Sequence, residues 1–199
     1  MVDGKEKLVL AAADSARLDR YPALLTLEDG TSVLIRPLEG SDETALLDFF
    51  RGIPEEERYW LREDVCHPAV IHQWITGLNY DRVLPLIAER DGVIIADGTL
   101  HRRGFGARHH LGELRLVVAP AYRSRGLGYA ILAELMEIAQ ELGLDRLEAE
   151  IVTGAQTAAV EAIEQMGFEQ AARLSNHLLG HDGARHDLVL YVYDLQEAQ

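Results

Sequence analysis

The sequence predicts a mixed α/β fold, built on a mostly antiparallel sheet with one central parallel strand pair and flanking helices. Three observations predict it. Two pairs of β-rich runs are joined by turn residues, Asp29-Gly30 and Asp91-Gly92, which is the signature of hairpins. The β-rich run "ELRLVV" is followed by a helical pattern and then by "LEAEIV", and a strand–helix–strand crossover makes its two strands parallel neighbours. A chain of 199 residues, 48% of them apolar, can bury one full-sized core.

The elements follow in order. "LLTLEDGTSVLIRPL" reads as the first hairpin. Ser41, Glu43 and Thr44 then open a helix in which Ala45, Leu46, Phe49 and Phe50 share a face, and Gly52 ends it. Pro54 at a first helical position, followed by three glutamates near the positive end of the dipole, starts a short helix. "HPAVIHQWITGLN" continues the helical region to about Leu78, with Gly77 as terminator. "VLPLIAER" and "VIIADGTLHRR" form the second hairpin, and the loop "RRGFGARHH" leads into "LGELRLVV". The longest helix runs from about Gly126 to Leu142, with Leu127, Ile131, Leu135, Ile138 and Leu142 at helical spacing and Gly143 as its stop. After "DRLEAEIV", a helix over about Gln156–Met166 stops at Gly167, and two strands near 168–179 and 184–195 close the chain. No internal repeat is evident.

Composition excludes several classes. The net charge of −14 argues against general nucleic-acid binding, which depends on neutralising phosphates with Lys and Arg. Cys66 is the only cysteine, so no internal disulfide forms and the usage fits a reducing compartment. The start resembles a signal peptide only in outline, because its apolar part spans Leu8 to Ala13, short of the roughly 7–15 residues expected. No apolar stretch approaches the ~20 residues that cross a membrane. The expected setting is the cytoplasm, with no nucleic acid and no membrane as partner. Lys5 and Lys7 are the only lysines among 19 basic residues; codon bias explains this at least as well as an enzyme that spares itself lysine modification.

One window departs from the acidic whole. Between His101 and Arg125 lie Arg102, Arg103, Arg108, Arg115, Arg123 and Arg125, with Glu113 as the only acid. The window reads as a local positive field for a small polyanion. It ends in "YRSRGLGYA", where glycines between a strand and a helix allow close backbone approach, and the helix's first turn leaves N–H groups free for an anion. A nucleotide P-loop would need Lys and Ser or Thr after Gly128, where Tyr129 and Ala130 stand. A dinucleotide fingerprint would need Gly or Ala at the position of Ile131. What remains is Arg-x-x-Gly-x-Gly, after a strand and opening a helix.

This pattern resembles the GNAT superfamily of CoA-dependent N-acetyltransferases, whose pyrophosphate motif is matched by Arg123, Gly126 and Gly128. The element order and "MGF" at Phe168 fall where that family has them, and the resemblance covers roughly 31–195. "DGTSVLIRPLEGSDETALLDFF" with "IPEEERYW" looks like the opening of the branch that acetylates protein lysines. The resemblance implies a GNAT fold over 28–199, with 1–27 as an N-terminal extension or an additional strand or helix. It implies acetyl-CoA as acyl donor, held by the backbone amides of Arg123, Ser124, Arg125, Gly126, Leu127 and Gly128, by strand pairing of its arm along Val117 and Val118, and by Gln156 where many members have asparagine. It implies Glu113 as general base for an amine acceptor, a protein lysine or a small molecule; Glu113 stands ten residues before Arg123, where the lysine-acetylating branch carries its base.

One position departs from the pattern. The tyrosine that protonates the leaving thiolate in many members is replaced by Ile163, so the general acid is unassigned; Tyr129 is a substitute, or packs. No metal is expected: His109, His110, His177, His181 and His186 lack ligand-spaced partners. Cys66 reads as packing. A non-catalytic acetyl-CoA sensor is the alternative from another class, and a homodimer is left open.

Overall fold

A computed structural model describes residues 18–154 and 156–196. The start of the chain, with both lysines and the segment that outlines a signal peptide, lies outside the described residues. The strands are β1 (Ala23–Thr26), β2 (Ser32–Pro37), β3 (Val83–Arg90), β4 (Val93–Arg102), β5 (Leu111–Val118), β6 (Arg146–Val152), β7 (Glu169–Leu179) and β8 (Arg185–Asp194). The helices are α1 (Glu43–Arg51), α2 (Glu55–Arg58), α3 (Pro68–Thr76), α4 (Leu127–Glu141) and α5 (Thr157–Gln165). One eight-stranded sheet runs in the order β1-β2-β3-β4-β5-β6-β8-β7. All neighbours are antiparallel except β5 and β6, which the α4 crossover joins in parallel.

Both hairpins turn where their sequences say they should. Gly30 at φ 82° closes β1 onto β2, and Asp91 at φ 52° with Gly92 at φ 79° closes β3 onto β4, the left-handed pair that a two-residue turn requires. Pro54 departs from its predicted place: it caps α2 in extended conformation and is not its first helical residue. Gly52 caps α1 at φ −77°, in right-handed backbone, so no left-handed stop is needed there.

Two hydrophobic layers cover the sheet. Leu127, Ile131, Leu135 and Ile138 of α4 pack with Leu86, Leu100, Leu114, Leu147 and Ile151 on one side. Leu46, Phe49 and Phe50 of α1 and Ile71 and Ile75 of α3 meet Ile87 and Ile94 on the other. Arg36 anchors this second layer to the sheet, giving one nitrogen to each Asp42 oxygen (2.7 and 2.8 Å) and reaching Glu89 at 2.8 Å. Its paired carboxylates hold the guanidinium proton more tightly than usual, the hydrogen bonds that it donates to Asp42 leading.

Candidate active site

The sheet forks. β5 pairs with β6 only from Leu111 opposite Arg146 to Glu113 opposite Glu148. Beyond Glu113, β5 stays bonded to β4 as far as Val118 opposite Ala96, while β6 continues alongside β8 as far as Val152 opposite Leu188. Among the described residues, no strand pairs with the β6-facing edge of β5 over 114–118. Val117 and Val118 lie on that edge, and their side chains also pack, one toward each layer.

At the end of that edge the chain makes a tight turn. Pro120–Tyr122 form one short 3-10 turn, Arg123 is extended, and Ser124 and Gly126 take φ 54° and 82° before α4 begins at Leu127. A side chain on Gly126 would be strained at that φ and would stand 3.3 Å from the Glu28 carboxylate. Gly128 answers to packing, since a Cβ there would lie 3.1 Å from Leu116. The first helical bond runs from Ala130 N–H to Gly126 O, which leaves the N–H groups of Leu127, Gly128 and Tyr129 at the positive end of the α4 dipole. An open strand edge running into this turn fits an extended ligand with an anionic end.

The arginines behave differently from the sequence expectation of one positive field. Arg123 turns inward, donating to Val118 O (2.9 Å) and gripping Glu57 with both terminal nitrogens (2.9 and 2.5 Å). Arg125 reaches Asp29 at 2.8 Å in the first hairpin turn. Arg108 pairs with Glu148, Arg115 with Glu113, and Arg102 with Asp81. Arg102 and Arg108 precede the eight residues of β5 and Arg123 follows them, about 26 Å of strand. That separation exceeds the ~8 Å over which charges act through physiological salt. Arg102 and Arg108 before β5 and Arg123 and Arg125 after it are therefore two separate groups, with Arg115 between them on the strand, and each of these five faces a carboxylate.

Glu113 sits at the apex of the fork, its side chain 25% exposed, with Arg115 Nε at 2.8 Å and Arg62 Nη2 at 2.6 Å. Burial, the largest influence, raises its pKa, but the Arg115 hydrogen bond and the charges of Arg115 and Arg62 together hold it below the usual glutamate value. It is a carboxylate at neutral pH and can accept a proton. His101, opposite it on β4 and in contact with Thr99 Oγ1 at 3.0 Å, is pushed down to about 4 by burial first and then Arg115, so the imidazole is neutral. Arg62 Nη2 also reaches Glu150 on β6 at 2.7 Å.

The remaining predicted residues fall in two groups. Gln156 caps the start of α5, its side-chain oxygen accepting from Val152 N–H at 2.8 Å where β6 ends. Ile163 is a core residue of α5 at 5% exposure, and Tyr129, 54% exposed, lines a shallow groove with Met136, Met166 and Tyr193. His181 stacks on Tyr59 and His186 meets Trp60. Among the described residues no cluster of His, Cys, Asp and Glu could hold a metal ion, and no helix is long and apolar enough to cross a membrane. Cys66 accepts a hydrogen bond from Arg58. Sequence reading did not find Arg62, Glu150, His101 or the partner role of Glu57. Arg62 and Glu150 carry no motif, and their meeting depends on a loop and a strand 88 residues apart in sequence.

A mixed sheet forked at its parallel pair, with a glycine turn opening the crossover helix, is the architecture of a protein that binds an extended, anionic ligand along a strand edge. The chain belongs to the acetyltransferase (GNAT) family, whose family model matches residues 45–168. A search of curated protein sequences returned no match. Among solved structures, the ribosomal-protein-alanine N-acetyltransferase of Brucella melitensis is similar at 28% identity over 81% of this chain and 99% of that one, with a TM-score of 0.69. The GNAT domain of S. lividans PAT is 23% identical over 86% and 96% of the two chains, with a TM-score of 0.70. A putative acetyltransferase of Salmonella typhimurium, solved with its cofactor acetyl-CoA, is 20% identical over 82% and 94%, also at 0.70; at these last two identities the likeness is one of fold.

Proposed function

We propose that the chain transfers the acetyl group of acetyl-CoA directly to the side-chain amine of a protein lysine, with Glu113 as general base. The observation that carries this reading is the position of Glu113: it is the last residue of β5 paired to β6, and the open edge beyond it runs through Val117 and Val118 to the glycine turn. In this reading the backbone amides from Arg123 to Gly128, through Ser124, Arg125 and Leu127, hold the pyrophosphate. Val117 and Val118 pair with the arm by their main chain, and Gln156 borders the arm from the end of β6. The side chains of Arg123 and Arg125 stiffen the turn. When bound, acetyl-CoA supplies the acetyl group as a thioester, from which CoA leaves as a thiolate when the amine nitrogen forms its C–N bond. Glu113 takes the proton that the attacking nitrogen gives up. No side chain is assigned to protonate the thiolate, a moderate leaving group. The Salmonella structure, solved with acetyl-CoA, supports the choice of donor. A lone cysteine suits the cytoplasm as the setting.

The name of the Brucella neighbour favours a second reading of the acceptor, the α-amine of a protein N-terminus. The two readings differ in pH dependence. With Glu113 already ionised, the rate at subsaturating acceptor follows the neutral fraction of the amine. It climbs toward pH ~10.4 for a lysine and levels above pH ~8 for an α-amine. Thiol release from acetyl-CoA, measured with matched peptides bearing one amine or the other, is expected to occur with the lysine peptide and to rise through pH 9. Release only with the α-amine peptide replaces lysine by the N-terminus. No release with either peptide favours the sensor.

Gly126→Val tests the pyrophosphate placement. Acetyl-CoA at a hundredfold excess over Kd should stabilise the parent by about 2.7 kcal/mol. The valine, strained at φ 82° and pressed on Glu28, should remove most of that thermal shift. A folded variant that keeps the full shift moves the pyrophosphate elsewhere.

A further inference from the structure

The loop between α2 and α3 spans the two halves of the forked sheet. Tyr59 donates its hydroxyl to Leu179 O at 3.0 Å and stacks on His181 with ring centres 3.6 Å apart. Trp60 meets His186 edge-on at 4.9 Å. These contacts carry the loop from the α1–α3 layer to the tip of the β7–β8 hairpin. Two residues on, Arg62 turns toward the sheet and touches Glu113 on β5 and Glu150 on β6, at 2.6 and 2.7 Å. Glu150 lies two residues past Glu148, the last β6 residue paired to β5.

Arg62 makes these contacts through one nitrogen alone, without the two-nitrogen grip on a carboxylate that Arg36 and Arg123 have, although Arg36 Nη2 is likewise shared, between Asp42 and Glu89. Arg36 and Arg123 each present both terminal nitrogens to one carboxylate, the fork geometry that suits a guanidinium. Arg62 uses one nitrogen, Nη2, for two carboxylates on different strands. A guanidinium whose carboxylate contacts all run through one shared nitrogen makes no more of them than a primary ammonium could, a compact charge with three donors. The pair is also exchangeable: Arg62 is 49% exposed and Glu150 42%, so solvent competes well and each contact is weak.

We propose that Arg62 is a tethered stand-in for the acceptor's ammonium: it occupies the seat between Glu113 and Glu150 that the acceptor takes during turnover. Glu150 is then an acceptor-binding residue, and Arg62 sets the concentration of acceptor needed to displace it. The inference rests on Glu113 being the acceptor end of the site. The seat favours the charged amine, so it serves capture and not proton loss. Its variants therefore move KM more than kcat.

The test uses n-propylamine as the probe, with Arg62→Ala, Arg62→Gln and the double variant Arg62→Ala/Glu150→Gln. Thiol release from acetyl-CoA gives kcat and KM, and shifts in the NMR spectrum of the labelled protein at pH 7 give the affinity for propylammonium. Removing Arg62 should lower the KM for n-propylamine about fivefold, the upper range for an exposed ion pair, with a smaller change in kcat. The double variant should lose that gain, while acetyl-CoA affinity stays within twofold throughout. A KM that is unchanged or raised in both Arg62→Ala and Arg62→Gln overturns the proposal and leaves Arg62 as a brace for Glu113. If no protein releases thiol with n-propylamine or with the lysine and α-amine peptides, the acetyltransferase reading fails by itself and the NMR titration still decides. Tighter propylammonium binding to Arg62→Ala than to the parent and the double variant upholds the seat, and equal binding in all three overturns it.

Discussion

Replacing Glu113 with glutamine is expected to slow acetyl transfer ~10²–10⁴-fold, the usual contribution of a general base, while acetyl-CoA affinity stays within twofold. Glutamine keeps the shape of the side chain and cannot take a proton. The direction of the Glu113 shift adds a second expectation. Arg115 and Arg62 hold its pKa below the ordinary glutamate value of 4.5, so the carboxylate is ionised across the whole neutral range. Lowering the pH toward 5 therefore leaves the base intact, and any fall in rate there comes from protonation of the amine. Raising the pH toward ~10.4 supplies neutral lysine amine to parent and variant alike, so both rates should climb and the deficit of the variant should persist. The glutamine's NH2 also faces two guanidinium groups, so rates are compared per folded molecule at matched saturation. Pre-steady-state rates within threefold of the parent would remove Glu113 from the mechanism.

The second large effect concerns stability. Asp97 lies on β4 opposite Val117, with 8% of its surface exposed and Oδ1 without a hydrogen-bond partner among the described residues. Burial pushes its pKa from 3.8 up to about 7. A carboxyl raised on folding binds its proton more tightly in the native state, so stability is greatest below pH 3.8 and falls as the pH rises toward 7. Each unit of that window costs about 1.4 kcal/mol, so between pH 5 and pH 8 the loss is on the order of 3 kcal/mol. Asp97→Asn carries no such charge. Relative to the parent, its melting temperature should rise by roughly 5–10 °C between pH 5 and pH 8. A difference that does not change over that range would mean that Asp97 is solvated or paired when ionised.

What was legible in the sequence is what local chemistry determines. The Asp91-Gly92 turn follows from two residues that tolerate positive φ, and α4 from a stripe at 3.6-residue spacing ending at a glycine with φ 72°. The glycine turn at Arg123–Gly128 was visible for the same reason. The fork was not, because the point where β5 and β6 stop pairing depends on β6 following β8, whose strand lies some forty residues later. The arginines were misjudged because a window in sequence is not a window in space. Glu57, Asp29, Glu148 and Asp81 reach them from α2, the first hairpin turn, β6 and the loop before β3. Arg62 shows the limit most plainly, since its partners lie 51 and 88 residues away.

The two arginines of the glycine turn carry their own counterions. Glu57 already neutralises Arg123 and Asp29 already neutralises Arg125, so an anion arriving at Gly126 meets no uncompensated guanidinium there. What is left to attract it is the set of backbone N–H dipoles at the start of α4, which bear no net charge and do not titrate. Such a cradle discriminates by shape more than by charge. In an acidic protein of net charge −14, that arrangement keeps a negatively charged neighbour from being held merely because it is negative.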